Sequence, residues 1–452
     1  MASPPKHWYQ RLWRQFRLEL RWLTPGLGVK RWIALVLAGT TLIGLGFALV
    51  LVDFYRSAPQ IWVPLLSVLS LRGFPSILRV LVFGALGIAL ILIGVGGLNR
   101  SMMRPFVPTG KNVLDGLSAY RKRERGPRIV ALGGGTGLAS LLRGLKGYTS
   151  NLTAIVTVAD DGGSSGELRR SMGILPPGDI RNCLAALSDD EALMTQIFQY
   201  RFGSGAGLGG HSLGNLFITA LAEITGSFEG AVAESGRVLA VQGRVLPSSL
   251  HDVRLVADVQ LPEMRDEVLV KGESEIPKTA GRVRRVWLEP SNPLAYPPAV
   301  QAILNADLVI IGPGSLYTSI LPNLLVPDLA EALRHTRAQK FFVSNVATQP
   351  GETDGYSCGD HVRTVEKHFG SRLFDVVICN NNYSHDQEVE WVRLDEDLDQ
   401  EYSIYCTDIV SKDNPRRHDS EKLATAIMDL YNERTGPVLS REDDSYSAYH
   451  HV

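Results

Sequence analysis

The chain has 452 residues, 45% of them hydrophobic and 21% charged, and a formal net charge of −1. That length admits two or three domains, and the balanced charge argues against nucleic acid as a partner, because no net positive field draws in a polyanion. Its four cysteines, Cys183, Cys358, Cys379 and Cys406, form no C-x-x-C pair, which suits a reducing compartment and offers no zinc site.

A mean hydropathy near zero hides a split between a membrane-like N-terminal part and an enzyme-like remainder. Residues 1–31 carry seven basic residues against the single acid Glu19, interleaved with Trp8, Tyr9, Trp13, Phe16 and Trp22. This composition predicts a basic aromatic segment at a membrane surface. Residues 32–52 and 80–98 carry no charge. At ~1.5 Å per residue they reach roughly 31 and 28 Å, so residues 32–98 are expected to form a transmembrane hairpin rather than two buried core helices. Basic flanks on both outer ends place both termini and the main domain in the cytoplasm, on the inner face of the plasma membrane. Residues 99–127, with Arg121-Lys122-Arg123-Glu124-Arg125, read as a juxtamembrane linker resting on anionic lipid.

From Arg128 the pattern is α/β. An apolar strand, Ile129 to Leu132, runs into Gly133, Gly134, Gly135, Thr136 and Gly137, and helical spacing follows. Strand, glycine turn and helix present backbone N–H groups to a phosphate. The spacing is neither the dinucleotide fingerprint nor a Walker A loop, so a tight ligand-free turn stays open. A second strand, Thr153 to Ala159, ends in Asp160-Asp161-Gly-Gly-Ser164-Ser165-Gly166 at the carboxyl edge of the sheet. Asp160 or Asp161 is a candidate for a ribose hydroxyl or a Mg²⁺, and Ser164 and Ser165 for phosphate oxygens, against an Asx turn that caps the next helix. Asp179 is expected to cap a helix. Arg181 in its first turn opposes the helix dipole, so it needs an anionic partner, either a ligand phosphate or a carboxylate such as Asp160.

A glycine-rich loop, 203–215, brings His211, Ser212 and Asn215 to the start of another helix, where they could cover a phosphate or contact a sugar. Three alternating stretches, 238–242, 253–259 and 283–288, predict half-solvated strands of a β-rich extension. Strand Leu308 to Ile311 then enters Gly312-Pro-Gly314-Ser315-Leu-Tyr317-Thr-Ser. This is a second glycine turn, with Ser315 as a phosphate donor and Tyr317 as a ring to stack on a base or sugar. Two such turns suggest a bipartite ligand. Residues 375–380 are expected to be the last core strand, 423–431 a closing helix, and 435–452 a polar tail.

Taken together, the loops 133–138, 160–166, 176–182, 211–215 and 312–319 resemble those of the YvcK-type gluconeogenesis factors. These are UDP-sugar-binding morphogenesis regulators related to the 2-phospho-L-lactate transferases, and the likeness covers about residues 127–433. It implies a Rossmann-like doubly wound domain over 128–434 that binds a nucleotide sugar at its glycine loops. The acidic loop matching Asp160 and Asp161 helps hold Mg²⁺ in the transferase branch; the tyrosine matching Tyr317 contacts a UDP-sugar in the regulator branch.

The expected function is a regulator that binds UDP-N-acetylglucosamine or a related UDP-sugar and links gluconeogenic growth to cell-wall synthesis and cell shape. The alternative is a Mg²⁺-dependent transferase in which Asp160 and Asp161 hold the metal and Arg181 offsets developing charge. A nicotinamide-dependent oxidoreductase is a weaker third. Expected partners are the nucleotide sugar, the lipid bilayer, a second copy of the chain in a homo-oligomer, and a cell-envelope or metabolic protein.

Overall fold

The structure, a computed structural model, describes part of residues 39–56, residues 73–103, and residues 123–189, 191–203, 207–262, 266–383 and 389–436. The chain divides into one unit of Met1–Arg121 with Leu439–Val452 and a second of Lys122–Val438.

In the first unit, the second apolar run lies inside a helix of 28 residues, Ser76–Met103. The apolar stretch described there is Ser76–Ala89, and among the described residues no single helix is long and apolar enough to cross a membrane. The basic segment 1–31 and about half of the first predicted span, including 32–38, lie outside the described residues, as do 104–122 of the linker and 437–452 of the tail.

The second unit is built on ten strands: β1 (Ile129–Gly133), β2 (Leu152–Val156), β3 (Arg244–Pro247), β4 (Arg254–Gln260), β5 (Glu267–Lys271), β6 (Arg282–Glu289), β7 (Leu308–Ile311), β8 (Gln339–Val343), β9 (Val376–Asn380) and β10 (Ile404–Thr407). Seven form one parallel sheet in the order β10-β9-β8-β7-β1-β2-β3, and three form an antiparallel sheet in the order β5-β4-β6. Every residue of β1, β2, β7 and β9 is buried. Continuous apolar runs of this kind are what a parallel sheet covered on both faces requires.

The chain leaves β1 toward β2 and β3 on one side and returns at β7 to build outward on the other. The order therefore reverses between β1 and β7, and ligands of open α/β sheets bind outside the strand ends at such a point.

Two expectations are corrected. Residues 238–242 are not a strand: Val238 ends the helix Phe228–Val238, and the strand that follows, β3, joins the parallel sheet beside β2. The last strand of the main sheet is β10, one beyond 375–380. The pairing of Cys358 with Cys379 in a disulfide was also not expected from a reducing compartment.

The closing helix Ser420–Thr435 lies against the helix Gly135–Leu145 that follows β1. A Cβ on Gly144 would stand 2.0 Å from the Ser420 carbonyl oxygen and 2.7 Å from the Ala424 Cβ. Gly144→Ala gains about 1 kcal/mol of helix propensity and forces apart a contact whose overpacking costs about 1–3 kcal/mol. The variant should melt below the wild type; a higher melting temperature would mean that the helices separate freely.

Candidate functional site

The two glycine turns meet at the reversal between β1 and β7. Strand register pairs Leu132 with Ile311, so the turns leave the sheet side by side. A Cβ on Gly137 would lie 2.6 Å from the Pro313 carbonyl oxygen and 3.0 Å from the Gly314 Cα. A Cβ on Gly314 would lie 3.5 Å from the Gly134 carbonyl oxygen. Gly135 has φ +62° and Gly312 φ +80°, the left-handed region that side chains disfavour.

The helix Gly135–Leu145 starts at Gly134 with no side-chain cap, which leaves first-turn N–H groups without an intrahelical partner. They open on a cavity of about 370 Å³ lined by Gly134 to Gly137, Ser140, Pro313 to Ser315, Ser319, Asn345 to Pro350, Asn414 and Arg416 to His418. Asn345 fixes the second turn: its Nδ2 donates to the Gly314 carbonyl oxygen at 2.9 Å, and Gly314 N–H donates to its Oδ1 at 3.3 Å. Gln349 Nε2 donates to Ser315 Oγ at 2.8 Å. Arg416 and Arg417, both exposed, line the same cavity. Buried His418 donates its Nε2–H to the Ser344 carbonyl oxygen at 3.0 Å, and burial pushes its imidazole down to about 4, so it stays neutral.

A second group of polar side chains flanks the first turn. A Cβ on Gly134 would lie 2.5 Å from Asp179 Oδ2, and Gly135 N–H donates to the Asp179 carboxylate. Asp179 lies inside the helix Gly178–Leu187, whose N-cap is Pro177; the capping role expected for Asp179 is thus corrected. Burial, then repulsion from Asp160, pushes the Asp179 carboxyl up to about 6. Burial also raises Asp160, against the Gly162 N–H and the Ser165 hydroxyl that hold its charged form. Glu273, between β5 and β6, is pushed up to about 8 by burial and by Asp160 and Asp179.

Asp161 is engaged elsewhere, accepting from Ser274 N–H at 2.9 Å. Carboxylates are the right donors for Mg²⁺, yet among the described residues no three metal-ligating side chains converge on one point. Mg²⁺ commonly takes only one or two carboxylates beside phosphates and waters, and Asp160 with Asp161 would supply that number.

Behind this group runs a buried polar network. Ser164 Oγ lies 3.0 Å from His211 Nδ1 and accepts from Asn215 Nδ2 at 3.0 Å. Ser212 caps the helix Leu213–Thr225. Arg181, 8% exposed, donates to Ser212 Oγ and, at 2.9 Å, to Asn182 Oδ1. The Asp160 carboxylate is not hydrogen-bonded to Arg181; the charges of Asp179 and Asp160 act at longer range. Ser164, Ser165, His211 and Asn215 thus brace the acidic loop from behind, and the cavity beside the glycine turns does not reach them.

Tyr317 also departs from expectation. It is 2% exposed, and its hydroxyl lies 2.8 Å from the Tyr356 hydroxyl and donates to the Val283 carbonyl at 3.3 Å. Its N–H donates to Glu352 Oε2 at 3.2 Å, and Thr318 Oγ1 donates to Glu352 Oε1 at 3.0 Å. The ring is packed behind the second turn with no face open to stack on a ligand. Sequence reasoning passed over Arg416, Arg417, Asn345 and Glu273. The available signal was Asn414-Pro-Arg-Arg-His418, adjacent arginines in a turn with no helical spacing to pair them.

Comparison with known proteins agrees with this geometry. The family model described as 2-phospho-L-lactate transferase CofD matches residues 129–421. The gluconeogenesis factor of Bacillus subtilis is 47% identical over 318 residues, 68% of this chain and 99% of that one. A gluconeogenesis-factor relative from Nostoc sp. is 45% identical over 432 residues, 91% of this chain and 92% of its own. The crystal structure of a UPF0052-family protein from Bacillus halodurans superimposes with a TM-score of 0.63 at 43% identity, covering 67% of this chain and 99% of that one.

The acids beside the first turn predict a pH signature. A carboxyl whose folded-state pKa is raised contributes stability in full below its unfolded value of about 4, and that contribution is lost as pH rises through the folded value. For Asp179 and Glu273 the loss runs up through about 6 and about 8. Asp179→Asn and Glu273→Gln bury no charge, so each should gain in melting temperature on the wild type as pH rises across this window. A wild-type-to-variant difference that stays flat with pH would contradict the shifted values.

Proposed function

The chain belongs to the 2-phospho-L-lactate transferase CofD family, within which its close relatives carry the gluconeogenesis-factor name, and from that premise we propose that it is a nucleotide-sugar-binding regulator. Its ligand is a UDP-sugar, UDP-N-acetylglucosamine being the first to test. Its task is to link gluconeogenic growth to cell-wall synthesis and cell shape.

The observation that carries this reading is the anion seat. Asp179 takes the Gly135 N–H, and the next residues of that helix start, Thr136 and Gly137, line a cavity together with Arg416 and Arg417. A helix N-terminus and paired guanidinium groups are complementary to a diphosphate. Ser140, Ser315 and Gln349 add neutral hydrogen-bonding groups to the same walls, and a volume near 370 Å³ is at the lower end for a small-molecule site. The seat contains no nucleophile–base pair, which favours binding over turnover.

The N-terminal unit serves in this reading as a membrane tether that keeps the sensor beside envelope synthesis. The Nostoc relative matches 91% of the chain, whereas the Bacillus subtilis relative leaves about a third of it unmatched. An extension carried by some relatives and not by others suits an anchor better than a part of the binding site.

A second reading, a transferase of the CofD type, is favoured by one observation: Asp160, Asp179 and Glu273 crowd the first turn with raised carboxyl pKa values. In that reading Asp160 and Asp161 would hold Mg²⁺, which takes one or two carboxylates together with phosphates and waters.

Thermal melting of the full chain with UDP-N-acetylglucosamine tests the reading. Ligand at ~100 times its dissociation constant adds about 2.7 kcal/mol to the folded state. The Arg416→Ala/Arg417→Ala double variant should bind at least about tenfold more weakly, in line with the loss of charge-assisted contacts. Prolonged incubation with Mg²⁺ should leave the nucleotide sugar intact. Undiminished binding by the double variant would remove the arginines from the seat, and a new product would move the protein to the transferase reading.

A further inference from the structure

We infer that β5 is a dimerisation strand, pairing antiparallel with β5 of a second copy of this chain about a two-fold axis at Leu269. The strand is at the edge of the small sheet, hydrogen-bonded on one side to β4. Val268 is 37% and Leu269 53% exposed, and Glu267 and Lys271 are exposed as well. An edge strand with apolar side chains in water is a template for another strand.

The backbone is set up for that second strand. Gly272 N–H donates to the Leu255 carbonyl oxygen at 2.8 Å, one register step beyond the Lys271–Val256 pair. In an antiparallel ladder, hydrogen-bonded and non-hydrogen-bonded pairs alternate, and the β4–β5 register runs without a shift from Lys271 to Glu267. Val270 and Val268 therefore bond inward to β4, while Lys271, Leu269 and Glu267 turn their N–H and C=O groups to the open edge.

Centring the two-fold on Leu269 uses these outward groups. The two Leu269 residues face each other as a hydrogen-bonded pair, and each Glu267 faces the second copy's Lys271. The seam then carries about six backbone hydrogen bonds.

The side chains match in the same register. Glu267-Val268-Leu269-Val270-Lys271 is complementary to its own reverse: acid opposite base at both ends, Val268 opposite Val270 twice, and leucine opposite leucine at the centre. Opposite charges and apolar pairs directly across a ladder each stabilise it, and like charges destabilise it. Lys271 already reaches Glu289 at 2.9 Å, and its three donors allow it to serve Glu267 of the second copy too. A shift of one residue would set valine against a charge and move every side chain to the other face. The seam is short, so the dimer should depend on concentration.

Sedimentation equilibrium of the full chain tests this with charge reversal. Each of Glu267→Lys and Lys271→Glu places two like-charged pairs in the seam and should raise the dimer dissociation constant at least about tenfold. The Glu267→Lys/Lys271→Glu double variant restores opposite charges and should return to within about threefold of the wild type. All four residues exposed on β5 can be changed without touching the core, and circular dichroism should show each variant folded. Leu269→Cys supplies a separate readout. The Cα atoms of a hydrogen-bonded pair are about 5.5 Å apart, within disulfide range, so mild oxidation should give a crosslinked dimer absent from the wild type. A monomeric wild type, a dimer indifferent to the single reversals, or a double variant as weak as the single ones would each overturn the proposal.

Discussion

The contact on which the site depends is backbone against backbone. Gly137 abuts the Pro313 carbonyl at a distance no Cβ would allow, and Gly314 lies in ordinary contact with the Gly134 carbonyl. Register between β1 and β7 forces the two turns together, and glycine is what lets them share the space. Neighbouring side chains then hold the pair rigid. Asn323 Nδ2, buried, donates to the Gly133 carbonyl at 3.0 Å and to the Ser319 carbonyl at 2.8 Å. Asn345 clasps Gly314 from the other side, and Asp179 takes the Gly135 N–H. A seat held this way places its free N–H groups before any ligand arrives, which lowers the ordering cost of binding.

Charge around the seat is divided. Arg416 and Arg417 stand on one wall of the cavity, and Asp160, Asp179 and Glu273 gather beside the first turn. An anionic ligand is therefore drawn toward the arginine wall and repelled from the acids. Asp179, pushed up to about 6, and Glu273, pushed up to about 8, exchange protons near neutrality, and in either state they can hydrogen-bond hydroxyl groups, as acceptors when ionised and as donors when protonated. That chemistry suits the sugar end of a nucleotide sugar better than its phosphates.

What was legible in the sequence was local. A strand, a glycine turn and a helix are contiguous at 129–145 and again around 308–320, so both halves of the seat could be read from spacing alone. The arginine wall could not. Arg416 follows Gly134 by more than half the length of the domain, and the two meet only through the strand order. Ser164 and His211 are a different case. Polar side chains in glycine-rich loops look like ligand contacts, and here Ser164 hydrogen-bonds His211 and Asn215 in a buried network whose pairing spacing alone does not reveal. The run at 238–242 looked like a strand because its apolar residues alternate, although Val238 closes an amphipathic helix whose buried face includes Ala231, Val232 and Ser235.

Tyr317 shows how one residue can be essential to a site without lining it. It lies in the short helical turn Leu316–Ile320 directly after Ser315, so its backbone is continuous with the second glycine turn. Its N–H is fixed by buried Glu352, and its hydroxyl reaches the Val283 carbonyl in β6 and the Tyr356 hydroxyl. Burial and the Tyr356 hydroxyl raise its pKa, so it stays a neutral donor. A side chain with its ring buried and its hydroxyl satisfied cannot shift alone without leaving polar groups unpaired in the interior. Its hydroxyl thereby ties the second glycine turn to β6, and β6 pairs with β4, which pairs with β5. Tyr317 is thus a buried link between the turn that carries Gly314 and Ser315 and the small antiparallel sheet.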